Sequence, residues 1–536
     1  MTSRVSTHGP PGASAARNRS AASVVVRTTA GRVAGTLKDG LAVFRGVPYA
    51  TPPVGALRFA SPRPPVPWSG VRDATRFGPV FTQSGPVPGS EDALHANVWT
   101  PDTTGPRPVL VYVHGGGWQV GAGSVPTFDG SRLAARGDIV VVNFNYRLGV
   151  FGWGLHEQFT DPRTGLSGNW GLQDQIAALE WVRDNATAFG GDPNDITLCG
   201  TSAGGATAWQ LSLMPELRGT VRRLVAISAA HPSAPSFSLT PSDAGTVYEA
   251  LAARFGTGVP GLREVPDEAL HTAWLEMFSG DPDDRPVGSG REYRGPVRDG
   301  RLVRAFPHQL PTPEVPVLSI HNSTEGSFFT DPLSPSFPPA PPAPTDVAEL
   351  REAVAGVLRK LGPAPAAAAV DACVDAYQEA AVAEGSDLTP RSLWTEVWGD
   401  ALFRHRIVRL AERHATQGRT PVYVMEFAHP TRPPHFGTPH DATSKFLFGT
   451  HGAPANVAQF GDGPAERRIS GIFSELVASF VRTGVPAGAQ APPWPVFSSD
   501  TPSTLVLGGD EGARVTRLPK RRQLAFWDEY RAYSSP

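Results

Sequence analysis

The sequence predicts an α/β fold in which a mostly parallel central sheet is covered by helices on both faces. Short apolar runs recur almost from end to end of the 536 residues and alternate with stretches of helical periodicity. This pattern is typical of buried parallel strands joined by helices. Two of the runs lead directly into glycine-rich turns, and their even spread favours one large domain. The runs are residues 109–113, 139–142, 195–199, 224–227, 315–320 and 422–425.

The amino-terminal part is predicted to contain a disordered tail followed by a β-hairpin region. Residues 1–23 are rich in Ser, Ala, Gly and Arg and have no continuous apolar core, which argues against a cleavable secretory signal. Residues 24–35 and 41–44 have strand-like composition and predict the hairpin region. One domain is therefore expected over residues 24–531.

Helices are expected before the glycine-rich turn at residues 200–204 and in two insertions. Ile176, Leu179 and Val182 lie at helical spacing, which predicts a helix packed on the sheet. Insertions at about residues 235–310 and 331–420 contain further helical stretches and are expected to cap the sheet and shape a gorge. Proline dominates residues 331–345, which predicts a stiff, extended connector.

Composition argues against several classes of protein. The formal net charge of −2 disfavours a nucleic-acid partner, which needs a strongly basic face. No apolar run approaches the ~20 residues that cross a bilayer. The two cysteines, Cys199 and Cys373, do not suggest a disulfide framework. The run Lys520-Arg521-Arg522 is expected on a solvated surface. The prediction is a soluble cytoplasmic protein without membrane association.

The most informative motif is Gly200-Thr201-Ser202-Ala203-Gly204, which directly follows the apolar run 195–199. A strand that turns at once into a helix holds its central residue in strained backbone geometry, and the flanking glycines prevent collisions. Ser202 is then exposed at the tip of the turn as a candidate nucleophile. A chance match in a loop is the alternative, because the chain contains 57 glycines.

A second motif, His114-Gly115-Gly116-Gly117-Trp118, follows the run 109–113. Consecutive glycines let backbone N–H groups approach an oxyanion without interference from Cβ atoms. The motif lacks the Lys-Ser/Thr of a phosphate-binding loop and the spacing of a dinucleotide fingerprint. In this chain order, the two motifs together predict a nucleophilic serine served by an oxyanion loop.

With both motifs placed, the chain resembles the type-B carboxylesterases, the cholinesterase-like branch of the α/β-hydrolases that includes bacterial para-nitrobenzyl esterases. The resemblance covers about residues 24–531 and is weakest between about 235 and 420. It implies an α/β-hydrolase fold, hydrolysis of small-molecule carboxylic esters through an acyl-enzyme, and no metal or organic cofactor. The segments that carry it are 44–59, 90–92, 97–99, 145–149, 168–175, 189–193 and 526–528.

The resemblance also implies the remaining catalytic residues. The family's chain order is serine, acid, histidine, and its acid turn corresponds to Glu325. The distance to the following residues 446–449 favours His440 as the base, with His435 and His451 as rivals. The implied oxyanion donors are the N–H groups of Gly116, Gly117 and Ala203.

Four positions depart from the family pattern. Thr201 and Thr443 stand where family members commonly carry two glutamates that meet behind the triad, and losing both avoids an unpaired buried charge. We therefore expect little preference for cationic substrates, although a neutral change in a solvated pocket is the alternative. Phe81 and Ala93 replace a disulfide-forming pair, which fits a reducing compartment.

Other family positions are expected to support the site or to line its pocket. Ion pairs are implied between Arg58 and Glu91 and between Arg147 and Asp174, and Ser228 is implied to hydrogen-bond the acid. The candidate pocket residues are Trp118, Trp209 and Phe328. Each of these aromatic residues could instead belong to the core.

Two other functions compete with ester hydrolysis as interpretations of the sequence. A non-catalytic binding module on the same scaffold would be expected to lack the nucleophile and to have a secretory signal and a cysteine framework. The sequence matches none of these expectations. Specialisation for carbamates, amides or lactones stays open, because such substrates use the same machinery. A monomer or weak homodimer is expected.

Overall fold

The computed structural model describes residues 22–229, 240–277, 295–334, 342–359, 361 and 365–530. The predicted disordered tail lies outside this part of the chain, except for its last two residues. These two residues already belong to the first strand, which begins at Ala22 and pairs with its neighbour from that residue onward.

Thirteen strands of the described chain form one sheet. They are β1 (Ala22–Arg27), β2 (Arg32–Lys38), β3 (Leu41–Pro48), β4 (Val71–Asp73), β5 (His95–Thr100), β6 (Arg107–Val113), β7 (Val140–Phe144), β8 (Gly191–Thr201), β9 (Val221–Ile227), β10 (Val317–Asn322), β11 (Val422–Phe427), β12 (Ser503–Gly508) and β13 (Gly512–Arg517). Their order across the sheet is β1-β2-β3-β5-β7-β6-β8-β9-β10-β11-β12-β13, with β4 beside β2. The pairs from β7 to β12 are parallel, and the pairs at both ends are antiparallel apart from β2 with β4. The predicted parallel centre and amino-terminal hairpin are thus both present.

Fifteen α-helices lie in the described residues. They are α1 (Ser131–Gly137), α2 (Gly149–Gly152), α3 (Trp170–Asn185), α4 (Ala203–Ser212), α5 (Pro241–Arg254), α6 (Asp267–Met277), α7 (Ser327–Thr330), α8 (Val347–Arg359), α9 (Ala367–Glu384), α10 (Pro390–Gly399), α11 (His405–Gln417), α12 (Ala442–Leu447), α13 (Val457–Phe460), α14 (Pro464–Thr483) and α15 (Arg521–Glu529). A π-helical turn, Asp400–Arg404, joins α10 to α11. None of the helices in this part of the chain has the length and apolarity needed to span a membrane.

Alternation along β6 divides the core into two layers. Val109 and Val111 point to one face of the sheet, where the core also contains Leu179 of α3. Leu110 and Tyr112 belong to the core of the opposite face, with Phe473 of α14. Since successive side chains of a strand point to opposite sides, one apolar run supplies both layers. Helices therefore cover both faces of the sheet, as predicted.

Both predicted insertions contain helices among their described residues. The first holds α5 and α6, and the second holds α8 to α11. Residues 230–239, 278–294 and 335–341 lie outside the description, and the last of these ranges is the middle of the proline-rich connector. Helix α5 begins after an N-cap: the Thr240 hydroxyl accepts a hydrogen bond from Asp243 N at 3.1 Å, and Pro241 is the first helical residue.

Candidate active site

Ser202 lies at the sharp turn between β8 and α4. Its backbone has φ 59° and ψ −125°, a strained conformation for a residue with a side chain, and its N–H donates to Ile227 O at 2.8 Å. The motif's glycines are required sterically, because a Cβ atom on Gly200 would collide with Gly204 O and one on Gly204 with Val113 O. The predicted strand-turn-helix context of the motif is therefore present.

The glycine-rich loop after β6 packs directly on this turn. A Cβ atom on Gly115 would lie only 3.0 Å from the Cβ of Ser202, so only glycine allows this approach. Gly116 and Gly117 have φ of 111° and 60°. Ala203 is the first residue of α4, and its N–H therefore has no acceptor within the helix. The three predicted oxyanion donors come from two segments that are in contact.

Glu325 follows β10 and is 2% exposed. Its Oε1 accepts hydrogen bonds from Ser228 Oγ and from Asn322 N, both at 2.7 Å. Its Oε2 lies 2.6 Å from His440 Nδ1. Burying a carboxylate is costly without hydrogen-bond partners, and here the three partners come from different segments of the chain.

His440 is 5% exposed and has one ring nitrogen committed to the carboxylate. When Nδ1 carries the proton toward Glu325, Nε2 is left as an acceptor in the neutral ring. Within the described residues Nε2 has no hydrogen-bond partner, so it makes no hydrogen bond to Ser202 Oγ here. Such bonds are often long without substrate and shorten in the reacting complex.

The two rival histidines have other partners. His435 Nδ1 lies 2.9 Å from Asp331 Oδ2. His451 stacks on Phe446 with ring centroids 4.7 Å apart. The structure therefore brings His440, and neither rival, into contact with Glu325.

Asn322 is a site residue that sequence reasoning missed. Its side-chain N–H groups donate to Ser228 Oγ at 2.9 Å, to His440 O at 3.2 Å and to Glu325 Oε2 at 3.4 Å. It thereby ties the acid, its serine partner and the backbone of the histidine together. The only local signal was a polar residue at the end of an apolar strand.

Three aromatic rings lie against His440, and two of them, Phe329 and Phe403, were also missed. The centroid of Phe403 lies 4.2 Å from that of the imidazole, and those of Phe329 and the predicted Phe328 lie at 5.6 and 6.0 Å. Trp398 stacks on Phe329 at 4.9 Å. Phe403 and Trp398 belong to the helical insertion, whose approach to His440 no local pattern predicts.

The two tryptophans among the candidate pocket residues are core residues in this structure. Trp118 and Trp209 are each 1% exposed, which leaves almost no surface for a substrate. Trp118 packs edge-on against Trp153 with centroids 6.1 Å apart. Phe328, by contrast, is only half-buried, so it keeps surface that a substrate could contact.

Hydroxyl groups occupy the region behind Ser202. Thr201 Oγ1 accepts hydrogen bonds from Tyr112 at 3.0 Å and from Ser444 at 3.2 Å. Burial raises the pKa of the Tyr112 phenol well above its usual range, so this ring stays neutral. Thr443 is fully buried, and its hydroxyl has no hydrogen-bond partner among the described residues. Thr201 is thus linked to Ser444 rather than to Thr443.

Two expected ion pairs support the loops around the site. Arg58 Nε donates to Glu91 Oε1 at 2.7 Å, and the Arg147 guanidinium makes two hydrogen bonds to Asp174 at 2.7 and 2.8 Å. Cys199 and Cys373 are both free and buried. Among the described residues, no three His, Cys, Asp or Glu side chains are grouped so that they could hold a metal ion.

One basic residue is not where the sequence predicted it. Arg521 and Arg522 are exposed, as expected, but the Lys520 side chain is only 19% exposed. Its ammonium donates to Ser323 O at 2.7 Å and to Glu396 Oε2 at 2.5 Å. The prediction of a solvated surface was wrong for Lys520, because its partners lie more than a hundred residues away in the sequence.

Comparison with known proteins identifies the family. The sequence matches the carboxylesterase family over residues 22–527. The chain belongs to the carboxylesterase family. This carboxylesterase is 32% identical to the para-nitrobenzyl esterase of Bacillus subtilis (strain 168), over 94% of its own length and 98% of that protein. It is also 32% identical to the phenmedipham hydrolase of Pseudarthrobacter oxydans, over 92% of its length and 96% of that protein.

Solved structures agree with this assignment. The carboxylesterase resembles a Geobacillus stearothermophilus carboxylesterase determined at pH 6.2 with a TM-score of 0.78 and 32% identity, covering 94% of this chain and 99% of that one. A PNB esterase structure gives a TM-score of 0.75 and 30% identity, over 93% and 99% of the two chains. The predicted α/β-hydrolase fold is confirmed, and the protein is a serine carboxylesterase.

Proposed function

We propose that the carboxylesterase cleaves its substrate through a covalent acyl-enzyme on Ser202, with His440 as general base and Glu325 as the acid that orients it. The observation that carries this proposal is the 2.6 Å hydrogen bond between His440 Nδ1 and the buried carboxylate of Glu325. Because Nδ1 is bound to the acid, Nε2 on the other side of the ring is the nitrogen that can accept a proton.

In the first step His440 Nε2 takes the Ser202 hydroxyl proton as Oγ attacks the ester carbonyl carbon. The carbonyl oxygen becomes an oxyanion, which the N–H groups of Gly116, Gly117 and Ala203 stabilise. His440 then gives its proton to the leaving alcohol, and the acyl-enzyme remains. In the second step water is deprotonated by the same nitrogen and attacks the acyl carbon, which releases the acid and restores Ser202.

The surroundings of the site support a neutral substrate with an apolar or aromatic group. Phe328 is half-buried beside His440, and Phe329 and Trp398 extend the aromatic wall. The positions behind the serine hold threonine hydroxyls rather than carboxylates, so they provide no negative charge for a cationic alcohol. The similarity to a protein named para-nitrobenzyl esterase agrees with an aromatic ester.

The test is hydrolysis of p-nitrophenyl esters, from acetate to long acyl chains, by the wild type and by Ser202→Ala. We expect the variant to lose at least about 10³-fold in kcat. The matched control is Ser212→Ala, at the other end of α4, where the hydroxyl donates to Trp209 O at 2.6 Å. A Ser202→Ala protein that folds and keeps its activity would contradict the proposal.

The neutral-substrate part is tested separately. Acetylcholine and 3,3-dimethylbutyl acetate have the same shape but differ in charge, and we expect the neutral ester to be hydrolysed at least as efficiently. A clear preference for acetylcholine would overturn this part and leave the serine mechanism intact. We also propose that the protein is bacterial and cytoplasmic, and that it is a monomer or weak homodimer. The two free, buried cysteines agree with a reducing compartment such as the cytoplasm.

A further inference from the structure

We propose that Lys520 is a positioning residue for the acid of the active site. The inference rests on the proposed role of Glu325. The Lys520 ammonium donates to Ser323 O at 2.7 Å, within the four-residue turn that carries Glu325 from the end of β10. This residue comes from the carboxyl-terminal part of the chain, 197 positions away from Ser323. A charged donor on a half-buried carbonyl restrains the turn against displacement.

A second contact holds the ammonium in place. Lys520 Nζ also donates to Glu396 Oε2 at 2.5 Å, and the two side chains are only 19% and 22% exposed. The same carboxylate oxygen lies 3.4 Å from Arg404 Nη2. Lys520 therefore cannot swing into solvent without leaving Glu396 short of a partner. Its backbone lies in the left-handed region at φ 54°, which residues with side chains normally avoid.

Glu396 belongs to α10, and α10 touches the acid turn through backbone atoms. A Cβ atom on Gly326 would collide with Thr395 O, and one on Gly399 would lie 2.7 Å from Gly326 N and 3.3 Å from Glu325 Cβ. With no side chains between them, the turn and the helix must move together. Lys520 contacts both segments, the acid turn through Ser323 and helix α10 through Glu396.

The π-helical turn that follows α10 extends the network to the histidine. Arg404 is fully buried and pairs with Asp400, whose other oxygen accepts from Tyr377 at 2.6 Å. Phe403, in the same turn, contacts the ring of His440 with centroids 4.2 Å apart. Such π-helical turns occur frequently at functional sites. One insertion therefore contacts both Glu325 and His440, and Lys520 anchors it to the carboxyl-terminal segment.

The experiment compares Lys520→Met, which keeps the apolar stem, with Lys520→Arg, which restores a cation able to reach both acceptors. With p-nitrophenyl acetate we expect Lys520→Met to lower kcat at least about tenfold with KM within about twofold, because displaced catalytic groups slow chemistry more than binding. Lys520→Arg should recover most of the loss. If Lys520→Met does not fold, Lys520→Gln takes its place in every comparison.

The matched control is Arg482→Met. Arg482 also holds a backbone carbonyl from a helix end, donating to Gly137 O at 2.5 Å. Its own carbonyl accepts from Arg223 near the amino end of β9, whereas Glu325 follows the carboxyl end of the parallel neighbour β10. We expect this variant to shift the unfolding temperature without changing kcat more than about twofold. An equal loss of kcat in Arg482→Met and Lys520→Met would mean a general structural effect and would overturn the proposal.

A double-mutant cycle with Glu325→Gln separates the two hypotheses. If Lys520 acts through Glu325, Lys520→Met should change kcat by less than about twofold once Glu325→Gln is present. An undiminished loss in that background, or no loss from Lys520→Met alone while Glu325→Gln is inactive, refutes the positioning role and leaves the proposed function standing. Glu325→Gln with wild-type kcat would instead refute the acid assignment, and the role of Lys520 with it.

Discussion

Removing the Ser228 hydroxyl tests how much the buried carboxylate depends on its hydrogen bonds. Ser228 is fully buried, and its Oγ donates to Glu325 Oε1 at 2.7 Å while accepting from Asn322 Nδ2 at 2.9 Å. Ser228→Ala leaves Asn322 N as the partner of that carboxylate oxygen. A hydrogen bond to a charged group contributes about 1.5–3 kcal/mol.

That range of energies corresponds to about 10- to 150-fold in rate if the bond orients the acid in the transition state. The Ser228 hydroxyl donates its hydrogen bond to Glu325 and not to the substrate. We therefore expect Ser228→Ala to lower kcat with little change in KM. Steady-state hydrolysis of p-nitrophenyl acetate at pH 7.5 gives both constants, and circular dichroism gives the unfolding temperature of the same samples.

Two further variants separate catalysis from stability. Ser228 has φ 44°, so Ser228→Gly removes the same hydroxyl but relieves the left-handed backbone. Both Ser228 variants should lose kcat equally while their stabilities differ. Ser479→Ala removes another buried serine hydroxyl, which donates to Val485 O at 2.9 Å, and should keep kcat. The reasoning fails if Ser228→Ala keeps kcat within twofold, or if activity follows the unfolding temperature instead of the hydroxyl.

Three other outcomes follow from the structure. Phe403→Leu should lower kcat about 2- to 10-fold by loosening the aromatic contact with the imidazole, and unchanged kcat in a folded protein would refute that role. Asp174→Asn should cost about 3–5 kcal/mol in a urea titration, because Arg147 is left buried and unpaired, whereas Asp184→Asn in an exposed pair should cost less than about 1 kcal/mol. Burial lowers the pKa of His114 to about 4. As the pH falls, the unfolded chain therefore binds a proton at His114 before the folded chain does. Stability from His114 is present above about pH 6.5 and lost as pH falls toward 4, by about 2 kcal/mol at pH 5. The urea midpoint of His114→Gln should therefore depend less steeply on pH than that of the wild type, and equal slopes would contradict this.

Local sequence was sufficient to predict the features that depend on neighbouring residues. The apolar runs identify the parallel strands, because period and burial are encoded within a few positions. The two glycine motifs identify Ser202 and the loop beside it, since the steric need for glycine at a tight turn is visible in the sequence itself. The buried ion pairs and the bond from Ser228 came from family resemblance, and the structure contains those contacts.

Tertiary structure decided which distant residues meet. The sequence could not choose among 14 histidines without the family, because the 2.6 Å contact of His440 with Glu325 spans 115 positions. Asn322, Phe403 and Lys520 were missed or misplaced for the same reason. Their roles depend on how an insertion and the carboxyl-terminal segment pack against the strand ends, and such packing is set by many weak, long-range contacts rather than by any local pattern.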